Sequence, residues 1–135
     1  MSENQPEKYA RIQAEFWDLW RREEFFECHE VLEELWRETP GRERLFLNGL
    51  IHCAVAIYQH RRGNAVGAAR QLVRAQRKLR SFAPRFQHCE IAPLLAFVET
   101  EITSSSASLN EIQGTQLETL RADLEKKIFR EDNPL

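Results

Sequence analysis

The chain has 135 residues, 42% of them hydrophobic, and a formal net charge of −2, which suits one domain with a single hydrophobic core. No stretch reaches the roughly 20 apolar residues of a membrane span, and the polar residues 1–7 lack the apolar core of a secretion signal, so we expect a cytoplasmic protein without membrane contact. Cys28, Cys53 and Cys89 are odd in number and widely spaced, which excludes a disulfide framework and predicts buried, reduced thiols.

The predicted helices follow from apolar residues three and four positions apart. The first begins near Pro6, which suits a first helical turn, and runs to Trp20. The second spans 24–38 and is stopped by the Thr-Pro-Gly turn at 39–41. The third spans 42–62 and is apolar on nearly every side from Leu45 to Tyr58, which is typical of a helix at the centre of a bundle.

A fourth helix is predicted over 65–82, because Gly63 can end the third helix and Asn64 can cap the next. These two helices should form an antiparallel hairpin. Pro93 marks a fifth helix over 91–102. The fold class is therefore all-α: a compact helical bundle of five to six helices without a sheet. Residues 1–102 form the predicted helical core domain, and 103–135 a serine-rich linker and an amphipathic helix with Leu117, Leu120, Leu124 and Ile128.

Basic residues are concentrated in the middle of the chain. Residues 44–89 contain nine Lys or Arg and no acidic residue, whereas the flanking segments are acidic. Five of the bases cover one side of the fourth helix: Arg70, Arg74, Arg77, Lys78 and Arg80. This side is either a solvated face or a site for an anionic partner. Nucleic acid is disfavoured because no aromatics interleave with the bases, so we expect a homodimer or another protein partner.

The candidate site is marked by polar residues on apolar helices. His29 and Glu33 stand four positions apart and face the same way at the edge of the second helix. On the third helix Asn48 and His52 share one line with Gln59, and we expect His29 and Glu33 to be their partners, since an unpaired buried polar group costs about 1 to 3 kcal/mol. The ligand-site candidates are His29, Glu30, Glu33, Trp36, Asn48, His52, Tyr58 and Asn64.

Three interpretations of this constellation remain open: a structural hydrogen-bond network, a small-molecule or catalytic site without metal, and a metal site. Two imidazoles and a carboxylate match a zinc or non-haem iron ligand set, so His29, Glu33 and His52 are the candidate ligands of a divalent metal. In that interpretation Glu30 is the candidate general base of a hydrolase. The spacing differs from His-Glu-x-x-His, because position 33 is Glu.

The segment 24–36 (EFFECHEVLEELW), followed by Asn48-Gly49-Leu50-Ile51 and by Arg62-Gly63-Asn64 with Gly67-Ala68, resembles the DUF309 family. The resemblance covers about residues 15–100, and the His-Glu-x-Leu-Glu-x-x-Trp pattern makes it specific. It implies a small bacterial, archaeal or plastid protein of helical fold with no established activity. It also weakens the metal interpretation, because in this family the position of His52 is often Gln or apolar. The positions that match the family pattern are His29, Glu30, Glu33, Trp36, Gly49, Gly63 and Asn64.

The favoured function is a binding or interaction module with a polar His/Glu groove between the second and third helices. One alternative is the metal-dependent hydrolase described above, and another is an anion or nucleic-acid binder that uses the basic face of the fourth helix. The sequence leaves open whether the protein is an enzyme.

Overall fold

The computed structural model describes residues 3–104, which form five α-helices in the predicted order. All five helices lie within a few residues of their predicted positions, and the all-α fold class is confirmed. The helices are α1 (Gln5–Arg21), α2 (Phe25–Glu38), α3 (Gly41–Arg61), α4 (Ala65–Leu79) and α5 (Ile91–Ser104), with a 3-10 turn at Arg80–Phe82 after α4. Helix α5 extends to Ser104, two residues into the linker and amphipathic helix predicted over 103–135, and the rest of that segment lies outside the described residues.

Local capping explains why α1 and α4 begin where they do. The Asn4 side chain accepts a hydrogen bond from the Glu7 amide at 2.8 Å, and Pro6 occupies the first turn of α1. Asn64 makes the same 2.8 Å bond to the Gly67 amide at the start of α4. Before it, Gly63 adopts φ +81°, a left-handed conformation that ends α3 without steric cost. The turn between α3 and α4 was therefore predicted correctly.

Helix α3 lies at the centre of the bundle, as its all-round apolar sequence predicted. It packs against α2 on one side, α4 on the other and α5. Its closest approach is to α4, where Gly49 faces the fully buried Leu79. The buried stripe predicted on the fourth helix is confirmed, and so is the burial of all three free cysteines. That stripe consists of Ala68, Leu72, Ala75, Leu79 and Phe82.

A small β-hairpin between α4 and α5 was not predicted. Strands Arg85–Phe86 and Cys89–Glu90 pair antiparallel, and the two turn residues, Gln87 and His88, both have positive φ (48° and 65°). Such turns usually carry Asn-Gly or Asp-Gly, so the expectation that the chain has no sheet was wrong at this one place.

None of the helices in the described range 3–104 is long and apolar enough to cross a membrane.

Candidate functional site

The predicted pair His29 and Glu33 lies on the outer face of α2, beside a shallow depression. Helix geometry brings residues three and four apart onto neighbouring turns, so one stretch of α2 supplies the whole lining. The depression has a volume of about 220 Å³ and is lined by Phe26, His29, Glu30, Glu33 and Arg37. We call these five residues the α2 site.

A chain of polar contacts runs along the α2 site. The Nδ1 of His29 lies 2.7 Å from the Phe26 carbonyl oxygen, which can only accept, so Nδ1 carries the proton. The Nε2 of His29 faces Glu33 Oε2 at 3.5 Å, and the imidazolium form makes an ion pair there. Glu33 also accepts a 2.8 Å hydrogen bond from Arg37. The predicted pairing of His29 with Glu33 is therefore present, but both residues belong to α2.

An aromatic cluster borders the α2 site and connects it to the end of α3. The Phe26 ring is 40% exposed and lies 5.0 Å from the His29 ring and 5.2 Å from the Tyr58 ring, centroid to centroid. Arg62 donates to the Tyr58 hydroxyl at 3.3 Å and lies over the Tyr58 ring. Tyr58 is thus the residue of α3 that joins this surface.

The other polar residues of α3 face α4 instead. His52 Nδ1 lies 2.6 Å from Gln71 Oε1, and the Lys78 ammonium donates to His52 Nε2 at 3.0 Å and to the side-chain oxygen of Asn48. The prediction that Asn48 and His52 find their partners in His29 and Glu33 was wrong. Helix α3 packs between α2 and α4, and it is the long side chains of Gln71 and Lys78 on α4 that contact Asn48 and His52.

Burial lowers the pKa of His52 to about 4, and the positive charges of Lys78, Arg74 and Arg77 act in the same direction. The hydrogen bond to Gln71 opposes them in part. His52 is therefore neutral at pH 7, with Nδ1 as donor to Gln71 and Nε2 as acceptor from Lys78. This arrangement uses both ring nitrogens in the contact between α3 and α4.

The three candidate metal ligands are not brought together. His29 and Glu33 are on the outer face of α2, whereas both ring nitrogens of His52 are bonded to residues of α4. Within residues 3–104, no group of three or more His, Cys, Asp and Glu could hold a metal ion. The convergence assumed for the metal-dependent hydrolase is thus absent, and Glu30, its candidate base, lies exposed at the α2 site.

Two further site candidates have structural partners. The indole of Trp36 is covered by the Arg44 guanidinium, 4.3 Å from its ring centroid, between the end of α2 and the start of α3. Asn64, in addition to capping α4, donates to Gln59 Oε1 at 3.0 Å. Asn64 therefore stabilises the turn between α3 and α4 through hydrogen bonds to both sides of it.

The basic face of α4 divides into two parts. Lys78 is occupied by Asn48 and His52, and Arg74 and Arg77 lie close enough to His52 to affect its pKa. Arg70 is exposed, and in the described part of the chain neither Arg70 nor Arg74 makes an ion pair. On this face, the positive charges without an ion pair among the described residues are thus those of Arg70 and Arg74, one turn apart in the middle of α4.

Sequence reasoning missed a second, larger concavity, which we call the α1/α5 groove. It has a volume of about 570 Å³ and lies between α1 and the hairpin with the first turn of α5. Its signal in the sequence is the helical spacing of Ala10, Ala14, Trp17 and Arg21, two of which are small. The groove is lined by Ala10, Gln13, Ala14, Trp17, Arg21, Gln87, His88, Cys89, Glu90 and Leu94.

The fold and these surfaces define a small, compact all-α protein in which an aromatic and acidic surface site is built mainly from one helix. Residues 14–71 match a family model described as "Domain of unknown function (DUF309)". The resemblance to this family is thereby confirmed over a shorter range than the 15–100 expected. The matched range contains the whole α2 site and also His52 and Asn64.

One curated relative is "Uncharacterized protein YpuF" of Bacillus subtilis (strain 168), which is 46% identical over 59 residues. The match covers 43% of this chain and 34% of that relative, so the chain spans about a third of the relative's length. No solved structure matches the chain significantly.

Proposed function

We propose that the protein is an interaction module that binds a basic side chain of a protein partner at the α2 site. The observation that carries this proposal is the exposed Phe26 ring, which stands beside the carboxylates of Glu30 and Glu33. Aromatic side chains supply much of the energy at protein interfaces, and the face of an aromatic ring attracts cations. Glu30 makes no ion pair within the described residues, so its charge is available to a partner.

The size of the α2 site favours a protein partner over a small molecule. A depression of about 220 Å³ is smaller than the roughly 300 to 1,000 Å³ of typical small-molecule sites. A depression of this size can hold one side chain of a partner protein, and the residues next to that side chain would contact the surrounding surface. A cation over Phe26 contributes about 0.5 to 1 kcal/mol when exposed, and an exposed ion pair with Glu30 about as much. The remaining affinity must come from apolar contacts around Phe26 and Tyr58.

Peptides selected from a displayed random library should therefore contain one Arg or Lys next to apolar residues. Phe26→Ala should lower the affinity for the selected peptide at least about 10-fold, as expected for an interface hot spot of 1.4 kcal/mol or more. Glu30→Gln should lower this affinity about 3-fold, and the difference should become smaller at high salt. The measurement is isothermal calorimetry or fluorescence anisotropy.

Glu27→Gln is the matched control, because Glu27 is an exposed carboxylate of the same helix that does not line the depression. Selection of acidic or uncharged peptides would contradict the proposal. Equal affinity of Phe26→Ala and the original protein would contradict it as well.

A second candidate is that the basic partner is another copy of this chain. Glu27, Glu30 and Glu34 on α2 make no ion pair among residues 3–104, and the same holds for Arg70 and Arg74 on α4. Helices α2 and α4 pack on opposite sides of α3 and barely touch each other. In a dimer whose two-fold axis is parallel to α3, α2 of each copy would face α4 of the other copy. Leu45 of α3, 41% exposed, would lie between them.

Sedimentation should then show a dimer at low ionic strength that dissociates in 1 M salt, where charges are screened within about 3 Å. Arg70→Glu with Arg74→Glu should make the protein monomeric, and adding Glu27→Arg with Glu30→Arg should restore the dimer. Arg21→Glu, a charge change on α1, is the control. A monomer under every condition excludes this candidate, and retention of that monomer on heparin would point to an anionic partner instead.

A further inference from the structure

The aromatic cluster beside the α2 site ends in a cation that has no ion pair among residues 3–104. The guanidinium of Arg62, the capping residue at the end of α3, lies 5.5 Å from the centroid of the Tyr58 ring. It also donates one hydrogen bond to the Tyr58 hydroxyl, at 3.3 Å. Arg62 is exposed, and Tyr58 is its neighbour in both contacts. The charge of Arg62 is therefore held in place and is available to a partner.

Glu30 and Arg62 lie on opposite sides of the aromatic pair Phe26 and Tyr58. Helices α2 and α3 are joined by the short turn 39–40 and pack closely, so they run antiparallel. The contact between Phe26, near the start of α2, and Tyr58, near the end of α3, agrees with this direction. Glu30 is one helical turn beyond Phe26, and Arg62 is one turn beyond Tyr58. Because the helices are antiparallel, these two steps lead in opposite directions along the bundle.

Helix geometry gives the distance between the two charged positions. Four residues advance a helix by about 6 Å, so positions 30 and 62 are separated by about 12 Å along the bundle. The aromatic pair lies halfway between them, with its ring centroids 5.2 Å apart. The surface thus presents an anion, two rings and a cation in a row. We call this row the α2/α3 strip; it consists of Glu30, Phe26, Tyr58 and Arg62.

The anion of the α2/α3 strip is Glu30 rather than Glu33. Glu33 already accepts a hydrogen bond from Arg37 at 2.8 Å and faces His29 at 3.5 Å. Glu30 makes no ion pair in the described part of the chain. Glu30 and Arg62 do not pair with each other either, so both charges are left for a partner.

A partner that covers the aromatic pair must also meet Arg62. A basic residue next to this guanidinium would be repelled by the like charge. An apolar residue would remove water from the guanidinium without replacing its hydrogen bonds. A carboxylate can instead accept two parallel N–H bonds from it. Because Tyr58 already holds the guanidinium, little side-chain entropy is lost when this pair forms.

We propose that the partner of the α2 site carries an acidic residue that pairs with Arg62, in addition to the basic residue that pairs with Glu30. This second pair rests on the proposed function and specifies the partner further. The partner segment has a basic, an apolar and an acidic residue in a row about 12 Å long. In an extended segment, which rises about 3.3 Å per residue, the base and the acid are then about four positions apart, with the apolar residue between them on the same face.

The sequences of the selected peptides provide the first test. Peptides that contain the basic residue should also contain Asp or Glu about four positions away, always on the same side of the base along the chain. Selection on the Arg62→Gln protein should keep the base and lose the acid. Arg70→Gln is the matched control, because Arg70 is another exposed arginine without an ion pair among residues 3–104 and lies on α4, across α3 from α2. Selection on this control should keep both residues.

A double-mutant cycle measures the proposed pair by itself. Replacing the acidic residue of a selected peptide by its amide should lower the affinity for the original protein about 3-fold, as expected for an exposed ion pair. The same replacement should not change the affinity for the Arg62→Gln protein. Arg62→Glu should lower the affinity for the original peptide about 10-fold through like-charge repulsion, and a peptide with Arg in place of its acid should restore it. The measurement is fluorescence anisotropy at low ionic strength.

The outcomes separate a failure of this pair from a failure of the α2 site. Selected peptides that lack a basic residue contradict the proposed function, and the pair with Arg62 is overturned with it. Peptides with a base but no acid at a constant spacing overturn the pair alone. An equal loss of affinity for the amide peptide in the original and the Arg62→Gln proteins does the same. Each comparison uses two peptides on one protein, so an effect of the substitution on Tyr58 cancels.

Discussion

Gly49→Ala is expected to lower the free energy of unfolding by about 2 kcal/mol, although alanine is the better helix former. A Cβ at position 49 would lie 2.5 Å from Cγ and from Cδ2 of Leu79, which is fully buried. Helix propensity favours alanine over glycine by about 1 kcal/mol. Overpacking in a filled core costs up to about 3 kcal/mol, so the clash outweighs the propensity gain. Urea unfolding measures the difference.

The partner substitution shows whether the α3–α4 contact is the cause. Leu79→Ala alone should cost about 2 to 5 kcal/mol through the cavity that it leaves. The double variant Gly49→Ala with Leu79→Ala should cost less than the sum of the two, since the new methyl group occupies part of that cavity. Additive effects, or a more stable Gly49→Ala protein, would show that the helices can separate at low cost.

The order of the helices was predictable because their signals are local. The Gly63-Asn64 turn and the all-round apolar α3 each specify one feature through their own sequence. The hairpin was missed for the complementary reason. Gln87 and His88 carry no local signal for positive φ, and Gln87 is held by tertiary hydrogen bonds from Tyr9 and Gln13.

Three of the five residues of the α2 site were among the sequence candidates, because His29, Glu30 and Glu33 lie close together on one helix whatever the tertiary structure. Phe26 and Arg37 were not candidates, since an aromatic and a basic residue at helical spacing carry no signal for a site of their own.

The partners of His52 were not predictable from the sequence. A helical wheel gives the angular position of His52 on α3, but not which neighbouring helix stands at that angle. His52 is bonded to α4 because the side chains of Lys78 and Gln71 are long enough to contact it once the helices are packed, and this depends on the tertiary structure. For the same reason the wheel could not show that Tyr58, six residues further along α3, would reach Phe26 instead.

His52 should make the stability of the protein depend on pH between about 4 and 6.5. Burial lowers the pKa of His52 to about 4 in the folded protein, against about 6.5 in an unfolded chain. Between these two pH values the unfolded chain binds more protons than the folded protein does. The contribution of neutral His52 to the free energy of unfolding is therefore fully present above about pH 6.5 and is lost as the pH falls. The loss should reach about 2 kcal/mol at pH 5 and level off below pH 4.

The variant His52→Gln isolates this contribution. Its amide can donate to Gln71 and accept from Lys78 as neutral His52 does, but it cannot take up a proton. Protonated His52 loses the acceptor for Lys78 and adds a positive charge beside Arg74 and Arg77. All other ionisable groups are the same in both proteins, so the difference between the two pH profiles belongs to position 52. Urea unfolding at pH 7 and pH 5 should show about 2 kcal/mol less loss in the variant. Parallel profiles would mean that His52 becomes charged in the folded state without breaking the α3–α4 contact.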